Sequence, residues 1–303
     1  MHEKIYLSVY LSVYLSLSLN GQVLNSQEIG TGTNIQRNAS FNVEEIKVRW
    51  KKAALENCTG APCVPLCGEL TVRDIDNNYY KTVQIGTQCW TKENLKVTRY
   101  NDGTLIPDET TSTGPNWASL TTGARTEYVG LILTAAGMAP VTNYVGTYGY
   151  LYNWHAVADS RKLCPTGWHV PSDSEWSILL KVLDSNANNT SFTESSTAGG
   201  KMKDNIDWNR RPALGGLIPA DPQATNSSGF SALPGGERNI TGSPGSYSSG
   251  FALIGNSAFF QSSTPDNSNA LAAFNREVIQ SSSDVYRFPK NKGTGQSVRC
   301  IKD

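Results

Sequence analysis

The stretch LCPTGWHVPSDSEW, residues 163–176, brings a cysteine, a histidine and two carboxylates close together in sequence as Cys164, His169, Asp173 and Glu175. A thiolate beside an imidazole base would be a nucleophile pair, provided Cys164 is a free thiol. His169 with acidic neighbours could begin a metal site, but such a site needs three or four converging ligands. The other histidines are His2 and His155, which leaves a histidine-based site short of partners. The same letters also spell the start of a helix. Ser172 and Glu175 stand at S-x-x-E spacing with Pro171 ahead of them, the pattern of a capping box. Asp173 and Glu175 then lie in a first turn, where the helix dipole favours negative charge. On this reading His169 is a half-buried histidine bonded to nearby backbone, and the tryptophans fill the core.

Two other stretches hold oxygen donors. DIDNN, residues 74–78, looks like the opening of a calcium loop but lacks the later glutamate, so it is read as a turn. STPDNSN, residues 263–269, offers Asp266, Asn267 and Asn269 around a proline. Calcium-dependent sugar binding wants paired acidic and amide side chains around a loop proline, because calcium takes six to eight oxygens, and this loop has neither the Glu-Pro-Asn nor the Gln-Pro-Asp order. No metal site and no cofactor are expected.

Six cysteines, Cys58, Cys63, Cys67, Cys89, Cys164 and Cys300, follow a segment that reads as an export signal. Residues 1–21 run from a weakly basic start through IYLSVYLSVYLSLSL to small polar residues, with cleavage expected before Gln22. The apolar run is too short to span a membrane. Its YLSV repeat also alternates apolar and polar, the period of a strand. An even cysteine count behind such a signal argues for disulfides. A zinc site from the first four cysteines would lack the paired C-x2-C knuckles.

The rest of the composition agrees. Of 303 residues, 38% are hydrophobic and 17% charged, and 26 basic residues balance 26 acidic ones. That balance gives no electrostatic footing for nucleic acid. Abundant Gly, Ser, Thr and Asn suit short strands and long loops around a modest core. Residues 22–66 form a polar lead-in, followed by a domain from residue 67 to 303. In it, ELTVRDIDNNYYKTVQIGTQCW reads as a hairpin, 108–147 as irregular, YGYLYNWHAVAD as a short helix, and DSEWSILLKVLDSN as a firm one. SGFSALPGGERN, GNSAFFQSST, ALAAFNREVI and GQSVRCIKD read as strands or strand ends.

TVQIGTQCWTKENLKVTRYNDGTLIP, YGYLYNWHAV, LCPTGWHVPSDSEW, AGGKMKD, SGFSALPGGERN, FFQSST and QSVRCIKD follow one another at suitable distances. In this the chain resembles the Fibrobacter succinogenes major paralogous domain, over about residues 67–303. Two departures stand out: residues 125–147 leave the family pattern, and Phe260-Gln261 stands where an aromatic pair with Trp is common. The resemblance implies an α+β, C-type-lectin-like fold, related to the formylglycine-generating enzymes, with two short helices on a small twisted antiparallel sheet and long loops. It implies disulfides Cys164–Cys300, Cys67–Cys89 and Cys58–Cys63. Copper chemistry of the formylglycine-generating kind needs two cysteines near the carboxyl end, and only Cys300 is there, so that activity does not carry over.

By the same resemblance, the ligand-facing residues are Gln261, Asn267, Asn269, Asn275, Arg276, Tyr286, Arg287, Asn291 and Lys292. These types hydrogen-bond or stack at low ordering cost. The expectation is a non-catalytic module, secreted or on a bacterial cell surface, that binds a glycan or a protein. The alternative is a structural subunit of a surface fibre. Its N-terminal segment would pair with a neighbouring copy as a donor strand.

Overall fold

The protein is described as a computed structural model. It describes residues 67–69, 71–110, 117, 119–129, 143–205, 208, 221–239 and 250–303 with side chains, and the backbone alone at 17–19, 22–24, 131–134 and 137–140. The chain divides into two compact units, Met1–Cys63 and Val64–Asp303. In the first, β1 (Leu17–Leu19) pairs antiparallel with β2 (Gln22–Leu24), Leu19 opposite Gln22. The intervening Asn20-Gly21 is the sequence that two-residue hairpins favour. The expected Cys58–Cys63 bridge and most of the expected export signal lie outside the described residues.

The second unit is mostly antiparallel sheet with short helices. It opens with β3 (Thr71–Arg73), β4 (Tyr79–Ile85) and β5 (Gln88–Thr91). The turn between β3 and β4 is held by Asp74, whose Oδ1 accepts from the Asp76 and Asn78 amides and whose Oδ2 accepts from Tyr80. That is the turn expected of DIDNN. Next come β6 (Arg125–Thr126), β7 (Leu131–Thr134), β8 (Gly137–Pro140), α1 (Tyr144–Tyr148), β9 (Leu151–Tyr152) and α2 (Trp154–Val157). The β7–β8 hairpin corrects the expectation that 108–147 is irregular.

The single helix expected over 148–159 is also corrected. Gly149 has φ +75° and ψ −175°, a conformation that only glycine adopts without strain. A Cβ there would stand 2.6 Å from the Leu95 carbonyl oxygen. The chain therefore breaks, pairs β9 with β6, and starts again at Asn153, whose side chain accepts from the Ala156 amide.

The remaining elements are β10 (Trp168–His169), α3 (Asp173–Leu183), β11 (Thr193–Ser195), α4 (Ala198–Met202), β12 (Glu237–Arg238), β13 (Phe251–Ala252), β14 (Ser257–Pro265), β15 (Ala272–Ile279), β16 (Val285–Asn291) and β17 (Ile301–Lys302). Of SGFSALPGGERN only Glu237–Arg238 is a strand. β16, which carries Pro289, was not anticipated as one.

Two sheets organise the unit. One has the order β10-β17-β5-β4-β3, the other β11-β16-β15-β14. Helix α3 starts at the expected capping box, with Ser172 and Glu175 bonded reciprocally. Its buried face, Trp176, Leu179 and Leu180, packs with Trp90 of the first sheet and with Ala258, Phe260, Val278 and Val285 of the second. Trp176 lies 4.7 Å from Trp90 and 5.5 Å from Phe260, ring centre to ring centre. Two disulfides complete the unit. Cys67–Cys89 ties the chain ahead of β3 to β5, and Cys164–Cys300 ties the loop before β10 to the residue before β17. Both expected pairings are present, and among the described residues no cysteine is free.

Candidate functional site

The opening stretch is architecture. Cys164 is buried and oxidised, so it has no thiolate to offer. His169 does not bond nearby backbone as expected. Its Nδ1 lies 2.6 Å from Asp303 Oδ1 and its Nε2 2.9 Å from Glu175 Oε1. Burial pulls the imidazole pKa down, but the hydrogen bonds to Asp303 and Glu175 outweigh it and the net direction is up. Asp173 does more than face the helix dipole. Its Oδ1 pairs with Arg276 and its Oδ2 with Arg287, both at 2.7 Å. Burial would raise this carboxyl, yet the two guanidiniums hold it below the usual range.

The nine candidate binding residues fall into three places. Gln261, Asn275 and Arg276 are buried rather than displayed at the surface. Gln261 donates to the Tyr152 and Thr294 carbonyls. Arg276 is pinned between Asp173 and Glu194 Oε2, the latter 2.5 Å from its Nε. Arg287 is half-buried, pairs with Asp173 and covers the Phe274 ring at 3.9 Å.

Asn267, Asn269, Asn291 and Lys292 gather at the β14–β15 end of the second sheet. Asn269 and Asn291 accept from the Leu271 and Gly293 amides and shape turns. Lys292 donates to the Ala270 carbonyl and lies 4.4 Å over Trp154. Tyr286 is at the far end of β16, five residues from Asn291, or roughly 16 Å at strand rise. These residues therefore make no single cluster. Asp266 of the proline loop spends its carboxylate on Ser268.

A groove of about 520 Å³ runs along α3 and is lined by Ser177, Ile178, Lys181, Asn188 and Glu194 among others. Glu194 is its acidic group, and it is already engaged by Ser177 and Arg276.

The family model of the Fibrobacter succinogenes major domain matches residues 83–302. The chain belongs to that family. No curated protein and no solved structure matches the chain.

In this family member the second sheet has two unlike faces. Strand residues alternate sides, and the register sorts them. Ala258, Phe260, Val278 and Val285 face α3 and the core. The opposite face has three rows across β16, β15 and β14: Tyr286–Glu277–Phe259, Phe288–Asn275–Gln261, and Lys290–Ala273. Phe192, just ahead of β11, joins this face. Its ring lies 5.2 Å from Tyr286 and 5.4 Å from Phe288, and it is 61% exposed. The result is an accessible aromatic row beside a polar interior.

Lys290 crosses that interior. It is bonded to Glu237 and lies 4.1 Å over the Phe259 ring. Glu277 is held above the usual carboxylate range by burial, against the hydrogen bond from Ser257 and the charge of Lys290. Phe192, Phe288, Lys290, Glu237 and Glu277 were absent from the expected site. The period-two runs Ala273-Asn275-Glu277 and Tyr286-Phe288-Lys290 carry the available signal. Phe192 joins them only through the β11–β16 pairing.

Proposed function

We propose that the domain is an exported, non-catalytic recognition module that binds a glycan or a protein on the outer face of the second sheet. Its fold is read as C-type-lectin-like, with long loops around two antiparallel sheets. The observation that carries the binding reading is the Phe192–Tyr286–Phe288 row. Large flat rings give contact area at low ordering cost, Tyr286 adds a hydroxyl, and a charged interior borders them. Disulfides support an oxidising, extracellular location, and among the described residues no helix is long and apolar enough to cross a membrane.

Purified protein applied to glycan and protein arrays, with and without a calcium chelator, tests this. A ligand whose binding falls at least tenfold in Phe192→Ala/Tyr286→Ala supports the face. Binding that ignores the double substitution removes it.

The fibre reading draws on the alternating N-terminal repeat. The outer edge of β16 gives it little help, because Pro289 has no N–H to offer an added strand. N-terminal sequencing separates the two: a start at Gln22 removes the repeat and with it the donor strand, whereas retention of Tyr6–Leu19 favours a fibre.

A further inference from the structure

Asn275 is an anomaly. It sits in the middle strand of the second sheet with 0% exposure, and neither its Nδ2 nor its Oδ1 has a hydrogen-bond partner. Buried carboxamides are almost always paired, since an unpaired one forfeits its hydration with no return. The neighbouring amide, Gln261, is buried on the same face and is bonded. Of these two amides, Asn275 is the one whose side chain is left without a partner.

What surrounds it is specific. In its row Asn275 stands between Phe288 and Gln261. Lys290 is anchored one row to one side, and its ammonium reaches Phe259 one row to the other. The arm therefore spans the row of Asn275, and its tip is tied to Glu237. Remove that tie and the carboxamide lies next to Phe288, which continues into the exposed Phe192.

We propose that Asn275 is the hydrogen-bonding floor of a seat for a neutral pyranose sugar, covered by the Lys290 arm when the seat is empty. A carboxamide offers one donor group and one acceptor side by side, which matches two adjacent sugar hydroxyls. Phe288 and Phe192 offer flat rings for the sugar's C–H face. The one cation in these rows, Lys290, is matched by Glu237, and Glu277 one row away adds a further carboxyl. A seat with no cation to spare fits a neutral ligand better than an anion.

This seat rests on the recognition reading above, and the test separates the two. Wild type, Asn275→Leu and Lys290→Met are titrated calorimetrically with methyl β-glucoside, methyl β-galactoside, methyl α-mannoside and N-acetylglucosamine, and melted in parallel. Leucine has nearly the shape of asparagine and needs no partners. The expected result is that at least one sugar binds wild type, that Asn275→Leu weakens it at least tenfold, and that the same variant melts higher. Lys290→Met, which keeps the stem and loses the tie, binds that sugar at least as tightly as wild type.

A lower melting point for Asn275→Leu would make the residue structural and overturn the seat. So would sugar binding that Asn275→Leu leaves unchanged, or a panel that binds neither wild type nor Lys290→Met. If an array ligand still depends on Phe192 and Tyr286 in those cases, the recognition face stands and only the seat is lost. If no array ligand does, both fall.

Discussion

His169 is clamped between two carboxylates, and the clamp makes a pH prediction with a definite sign. Its folded pKa is raised above the ordinary value of about 6.5. The stabilisation is therefore complete below the unfolded pKa and fades as pH rises through the folded one. Glu175 works in the opposite direction. Burial would raise it, but bonds from Ser172 and His169 hold it low. Its contribution is present above the ordinary glutamate range and fades on acidification through the folded value. The advantage of wild type over His169→Gln in melting temperature should be largest near pH 6 and shrink toward pH 9. Parallel melting curves for the two proteins would contradict the clamp. Lys203 and Asp221 form a pair whose side chains are both 0% exposed, with Lys203 also donating to the Ile279 and Ser282 carbonyls. Lys203→Met should cost about 3–5 kcal/mol in denaturant unfolding, because it strands a buried carboxylate. Lys203→Met/Asp221→Leu should recover much of that loss.

Among the elements, α3 and the α1–β9–α2 segment respond differently to substitution. Ser172→Ala removes the cap of α3 and should cost about 1 kcal/mol. Gly149→Ala forces a side chain into glycine-only backbone against the Leu95 carbonyl, and should cost about 2–3 kcal/mol, the upper part of the usual range for one strained residue. Chemical denaturation of both variants checks the order as well as the sizes. The contrast explains what the sequence makes legible. Helix α3 announces itself because cap and apolar spacing lie within a dozen residues. Strands β14 and β15 are legible for the same local reason. The break at Gly149 is not, because Leu95 reaches it from a distant part of the chain. Burial of Arg276 was equally hidden: its partner Asp173 stands 103 residues away. The aromatic row needs two distant segments to meet, so residue types at the right positions could name Tyr286 but not Phe192. Pro289 obscured β16, since proline speaks against a strand unless an edge is known.

At the scale of the whole molecule, the two disulfides differ in reach. Cys164–Cys300 closes a separation of 136 residues and Cys67–Cys89 one of 22. In the chain-entropy account these constrain the unfolded chain by about 5 and about 3 kcal/mol. Cys164→Ala/Cys300→Ala should therefore lower the denaturant midpoint more than Cys67→Ala/Cys89→Ala. Equal losses would point to native-state contacts instead. Arg299 reinforces the same region. Its guanidinium donates to Asn94 Oδ1 and to the Thr91, Phe230 and Ser231 carbonyls, which joins the approach to β17 to two distant loops.

Strand β17 fills the gap between β10 and β5, so the first sheet has a vacancy in its interior until Ile301 is made. During biosynthesis, everything from β3 to β16 is translated before β17 can close that gap. A nascent chain halted before Arg299 would leave the ribosome with Cys164 unmatched and β5 open along one side. Such a fragment is a ready client for chaperones and proteases. Quality control of this domain thus turns on whether β17 is reached.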